Sequence, residues 1–216
     1  MDAVDHYRGQ REELSALFAS LDAKQLATAV PGCPKWTVKD VLAHLVGETA
    51  DVCSGAMDGA GGPEWTQKQV DARSDKSAAQ VLEEWSKRGV GFEAAIPEMG
   101  GLGTIFGWDI TMHGDDVKEA LGLPLGSSET HAMVLDGLVG QAEKRAEGIG
   151  TLTLRAGDRA WTIGSGEPVA SVTAPDEQEL ARVLGGRRTD EQVRALAWTG
   201  DPEPWLPVLP LFREGR

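Results

Sequence analysis

The chain has 216 residues, 41% of them hydrophobic, which is enough for one large domain or two small ones with a substantial core. Its 34 acidic against 21 basic residues give a net charge of −13, and a surface that acidic repels nucleic-acid phosphates and anionic lipid. No apolar run approaches the roughly 18 residues of a membrane span, and the start, Met1-Asp2-Ala3-Val4-Asp5-His6, lacks the basic region and apolar core of a signal peptide. The cytosol is therefore the expected compartment. Cys33 and Cys53 make no disulfide framework and lack the CxxC spacing of a thiolate zinc site, so both read as small buried hydrophobes.

A first helix is expected over 4–22, where Leu14, Leu17, Phe18 and Leu21 recur at helical spacing. His6 near its start reads as solvent-exposed. Residues 30–36 form a Pro/Gly turn. Thr37 then caps a helix running to about 55, with Asp40 completing a capping box. Trp36 before the cap reads as a hydrophobic staple or core residue rather than a substrate contact. In this helix Val38, Val41, Leu42, Leu45, Val46 and Thr49 form one stripe, with His44 and Glu48 on its edge.

Residues 57–66 read as a loop. Ser77 with Gln80 starts a helix whose buried side is Val81, Leu82, Trp85, Phe92 and Ile96, and Pro97 stops it. Gly100-Gly101-Leu102-Gly103 reads as a flexible connector. A helix carrying Ile110, Val117 and Leu121 ends at Gly122, and another spans 128–147 with His131 as a structural or surface histidine. The period then switches. Residues 151–155, 160–163 and 169–173 alternate as strands, with a hairpin turn at Gly157-Asp158. Short helices follow at 176–184 and 189–197, and the Pro-rich ending to Pro210 is expected to pack back as a short helix. The expected architecture is mainly α: an up-down helical bundle of about five segments at 1–147 and a small α+β domain at 151–216.

Asp109 and His113 are four residues apart, so a helix places them on one face, one turn apart. A carboxylate and an imidazole so spaced can hold one divalent metal together, as the two histidines of HExxH do. A third ligand has to come from elsewhere, and His44 is the candidate. Both helices carry these groups at the margin of a buried face, where bundles build metal sites. Asp116 continues the flank of Asp109 and His113, either orienting the His113 ring or decorating the helix. Glu48 is a base or alternative ligand if its helix turns it inward, and an exposed residue otherwise. Arg187 in Gly-Gly-Arg-Arg is either a bidentate holder of a substrate or thiol carboxylate or a surface arginine.

The segment 31–47, Pro-Gly-Cys-Pro-Lys-Trp-Thr-Val-Lys-Asp-Val-Leu-Ala-His-Leu-Val-Gly, with His113-x-x-Asp116 and Ala-Leu-Gly-Leu-Pro at 120–124, resembles the mycothiol-dependent maleylpyruvate isomerase family of DinB-like metal-binding bundles. The resemblance covers 1 to about 147 well and the rest more loosely. It implies zinc bound at the positions of His44, Asp109 and His113, with mycothiol as co-substrate. Asp109 departs from the glutamate usual there and is one methylene shorter.

Three protein ligands leave an open position on a tetrahedral zinc, the mark of a catalytic site. A water bound there reaches a pKa of roughly 7, and a bound thiol is deprotonated. The resemblance implies the thiol route: addition to a small electrophile, with isomerisation if the thiol leaves and S-transfer if it stays. Two other classes stand beside it. A non-catalytic metal- or ligand-binding bundle would show no turnover, and a zinc-hydroxide hydrolase would turn over without thiol. The chain is expected to act as a monomer or homodimer, with small-molecule partners only.

Overall fold

The computed structural model describes residues 2–211. The chain forms two compact units, the first ending at Pro124 and the second beginning at Leu125.

The first unit is built on four long helices: α1 (Ala3–Ser20), α3 (Val38–Ser54), α5 (Ala78–Ala95) and α6 (Gly101–Ala120), with the short helices α2 (Ala23–Leu26) and α4 (Pro63–Asp71) between them. Helix α1 packs on α5 and α6, and α3 packs on α5 and α6, which closes a ring. The apolar stripes meet inside it: Leu14 and Phe18 of α1, Val41, Leu42 and Leu45 of α3, Val81, Trp85 and Phe92 of α5, and Ile110 and Val117 of α6 are all buried. Truncating one such leucine costs about 2–5 kcal/mol, so this core fixes how the helices face each other. Among the described residues no helix is long and apolar enough to cross a membrane.

Three local expectations are corrected in this unit. The Pro/Gly stretch 30–36 is a two-stranded antiparallel ribbon, β1 (Ala29–Val30) and β2 (Cys33–Thr37), with Val30 opposite Cys33. It runs straight into the Thr37 cap of α3, where Thr37 and Asp40 form the full capping box. Residues from Pro63 are helical rather than loop, because a proline at the first helical position starts a helix instead of breaking one. Gly101 already belongs to α6. Gly103 serves close approach, since a Cβ there would lie 2.7 Å from the Ile96 carbonyl oxygen.

The second unit opens with α7 (Ser128–Arg145) and continues with β3 (Thr151–Ala156), β4 (Arg159–Gly164), β5 (Pro168–Ala174), α8 (Glu177–Leu184), α9 (Asp190–Arg194) and β6 (Ala197–Thr199). The sheet order is β4-β3-β5-β6. Strands β3 and β4 form the expected antiparallel hairpin, β5 lies parallel to β3, and β6 is antiparallel to β5. Leu152, Leu154 and Ala156 of β3 and Ala170, Val172 and Ala174 of β5 are buried at a period of two. The period switch near 148 marks the start of the sheet. Helix α7 nonetheless packs on α8 and β4, using Val134, Leu135, Leu138 and Ala142 as its buried positions, so the compact units divide before α7. The helix expected over 189–197 stops at Arg194 and Ala197–Thr199 is strand, while the stretch to Pro210, expected as a short helix, is a run of turns that buries Trp205, Leu206 and Leu209.

Candidate metal centre

Helix α3 presents His44 and α6 presents Asp109 and His113 to the same point. His44 is 2% and His113 6% exposed. The Asp109 carboxylate bridges the two rings: Oδ2 lies 3.3 Å from His44 Nε2 and Oδ1 lies 3.6 Å from His113 Nε2. The ring centroids are 4.9 Å apart and the planes nearly perpendicular, at 77°. One ligating atom from each of the three residues falls within 4.8 Å of the other two.

The hydrogen bonds around this point determine which nitrogens are free. Asp51 Oδ2 can only accept, and Gln69 Nε2 donates to it at 2.7 Å. This turns Gln69 Oε1 toward His44 Nδ1, 2.8 Å away. Nδ1 must therefore carry the proton, and His44 Nε2 is left with a lone pair facing Asp109. On the other ring, the Cys33 thiol donates to Asp116 Oδ2 at 3.4 Å, and its sulfur lies 3.6 Å from His113 Nδ1. A sulfur whose only proton is given away is an acceptor for Nδ1–H, so His113 also turns a bare Nε2 inward. Two imidazole lone pairs and the Asp109 carboxylate then converge, with the Glu48 carboxyl as a hydrogen-bond partner of Asp109. A nest of acceptors is stable around a proton or a cation, and N,N,O is a donor set for zinc. The residues present fit a divalent ion.

Glu48 is buried, 7% exposed, one turn along α3 from His44. Its Oε1 lies 3.9 Å from His44 Nε2. Burial, then the charge of Asp109 and a hydrogen bond with it, hold the Glu48 carboxyl well above the usual carboxylate range. Its expected exposure is thus corrected: the α3–α6 contact covers the edge of the stripe as well as its centre. Asp116 is fully buried, with Oδ2 3.1 Å from His113 Nδ1. Trp36 is half-buried and its ring stacks obliquely on both histidines, 5.0 Å from His44 and 5.8 Å from His113. It also packs against the hydrophobic core, as expected, so its ring lies between that core and the two histidines' faces.

The other sequence candidates have local partners of their own. Arg187 belongs to the second unit, where Nη1 donates to the Gly185 carbonyl at 2.8 Å. His131 is buried, with Nδ1 2.8 Å from the Ser127 carbonyl, a structural role at the start of α7. His6 is 3% exposed rather than solvated, with Nε2 2.9 Å from Thr111 Oγ1 and 3.2 Å from the Gly107 carbonyl. The contact of α1 with α6 buries it. Gln69 was not legible as a site residue. Its only signal is a helical start at Pro63, which puts Trp65, Gln69 and Val70 on one buried face.

Residues 7–118 match the family model described as the mycothiol maleylpyruvate isomerase N-terminal domain. Two solved structures share the fold over 91% of this chain and 91% of their own. One is a histidine-to-alanine variant of the mycothiol-dependent maleylpyruvate isomerase, at 12% identity and TM-score 0.66. The other is that isomerase without the substitution, at 14% identity and TM-score 0.58. No curated protein is similar enough in sequence to be matched to the chain. With more than half its length covered by the family model, the chain belongs to the mycothiol-dependent maleylpyruvate isomerase family and has its DinB-like helical fold.

Proposed function

We propose that the chain is a cytosolic enzyme in which His44, Asp109 and His113 hold a divalent metal, zinc foremost, and which activates a low-molecular-weight thiol, mycothiol by family, for attack on a small electrophile. The observation that carries this reading is the convergence of two imidazole Nε2 atoms on one carboxylate. With three protein ligands rather than four, the bound ion would supply a Lewis acid with an open position, which keeps a thiol in its thiolate form at neutral pH.

The protein's own groups have separate tasks. Gln69, anchored by Asp51, holds the His44 ring in the tautomer that leaves Nε2 free. Asp116 and Cys33 hold His113 from its outer edge. The Glu48 carboxyl, buried beside Asp109 and held above the usual carboxylate range, is our candidate for the group that gives carbon its proton on addition to a conjugated alkene and takes it back on elimination. If the thiol leaves after rotation about the new single bond, the product is an isomer; if it stays, the product is an adduct. Trp36 roofs the centre and limits water. Arg187 is our candidate for a carboxylate of the thiol or substrate.

The test is to incubate zinc-loaded protein with mycothiol and other small thiols against a panel of activated alkenes, read by mass spectrometry. Thiol-dependent isomerisation or adduct formation, lost in His44→Ala, is expected. Turnover of an ester or amide without any thiol would replace this reading by zinc-hydroxide hydrolysis.

A further inference from the structure

The outer edge of the His113 ring faces a second set of ligand atoms. Cys33 Sγ, His113 Nδ1 and Asp116 Oδ2 form a triangle with sides of 3.6, 3.4 and 3.1 Å. Zinc bonds of about 2.3 Å to sulfur and about 2.1 Å to nitrogen or oxygen, set at the tetrahedral angle, require sides of roughly 3.4–3.6 Å. The triangle is already close to that size. Its base is rigid, since Asp116 is fully buried and His113 is 6% exposed. Its apex is reachable, since Cys33 is only half-buried, at the start of β2.

We propose that Cys33, His113 and Asp116 form a second metal-binding set, suited to a thiophilic divalent cation such as cadmium or zinc, on the opposite edge of the His113 ring from His44 and Asp109. Binding there releases the thiol proton to solvent and leaves a thiolate ligand. A neutral imidazole has one lone pair, so the two sets draw on different tautomers of His113. The inner set uses Nε2 with the proton on Nδ1. The outer set uses Nδ1 with the proton on Nε2, which faces Asp109 Oδ1 at 3.6 Å. The thiolate makes the outer set the softer of the two, and cadmium favours it over the N,N,O set.

The inference is independent of the function proposed above, because His44→Ala dismantles the inner set and leaves the outer one whole. The experiment is a cadmium titration of the chelator-stripped full chain in a Cys53→Ser background, which removes the other cysteine. The readout is the ultraviolet sulfur-to-cadmium charge-transfer band, with folding checked by circular dichroism. A band saturating at one cadmium per chain is expected both in that background and with His44→Ala added. Asp116→Asn and His113→Gln, each in the same background, should weaken cadmium binding more than about tenfold. No saturable band in the folded Cys53→Ser protein would overturn the proposal. So would unchanged affinity in both Asp116→Asn and His113→Gln, which would make Cys33 a lone thiol. Failure here leaves the inner set untouched, whereas loss of metal from the inner set leaves this band in place.

Discussion

Gln69 dictates which nitrogen of His44 is free. Its amide is oriented by Asp51 and its oxygen lies 2.8 Å from His44 Nδ1, so a residue on α4 sets the tautomer of a ligand on α3. Gln69→Leu removes that control while keeping a buried side chain of similar length. Orienting partners of metal-bound histidines are worth about 10–100-fold in affinity. We expect a loss in that range, measured by competition with a chromogenic chelator, with helicity unchanged.

Gly47 lets α4 come this close. A Cβ there would lie 2.3 Å from Gln69 Cβ, too near for a rotamer change to relieve. Gly47→Ala gains up to about 1 kcal/mol of helix propensity, but overpacking of this kind costs about 1–3 kcal/mol. The clash is expected to win. Urea denaturation should show a less stable protein, and chelator competition a weaker centre. A more stable Gly47→Ala protein would mean that α4 does not press on α3 as described.

Acid sensitivity is expected from His6. Burial, only partly offset by the hydrogen bond to Gly107, holds its imidazole below the ordinary histidine value. As pH falls below about 6.5, the unfolded chain takes up a proton that the folded chain refuses. Stability from this residue is therefore full above that pH and is lost as pH falls toward the depressed folded value. Urea midpoints measured from pH 7.5 to 5 should decline, and His6→Gln should flatten the decline. An unchanged slope would assign the acid sensitivity to other groups.

The division before α7 has its own consequence. All three inner ligands lie in the unit that ends at Pro124. We expect residues 1–124 expressed alone to unfold cooperatively and to bind one metal ion, without needing the helix that a boundary at 147 would add. A fragment that folds only when extended to 147 would restore the later boundary.

Much of the inner centre could be read from spacing. Asp109 and His113 are one turn apart beside the Ile110–Val117 stripe, and His44 lies beside Val41, so periodicity alone marks them as inward-margin groups. What spacing could not give is contact between distant segments. Cys33 meets His113 across 80 residues and Trp36 stacks on the same ring, and both depend on a ribbon that Pro and Gly disguise as a turn. Gln69 was hidden because the glycines of 57–62 drew Pro63 into the loop reading. The place of α7 was not legible either, since an amphipathic helix states that it has a buried face but not which neighbour covers it.

The proposed function stands on a metal held by His44, Asp109 and His113 with a position open to thiol. It is tested most directly with cobalt in a Cys33→Ser/Cys53→Ser protein, where no protein sulfur remains to mimic the signal. One cobalt ion per chain is expected, with a new sulfur-to-cobalt charge-transfer band on adding mycothiol and loss of both when His44→Ala is introduced. A protein that takes up no cobalt, or that binds it and gives no band with any small thiol, would rule out a thiol-activating metal at these three residues.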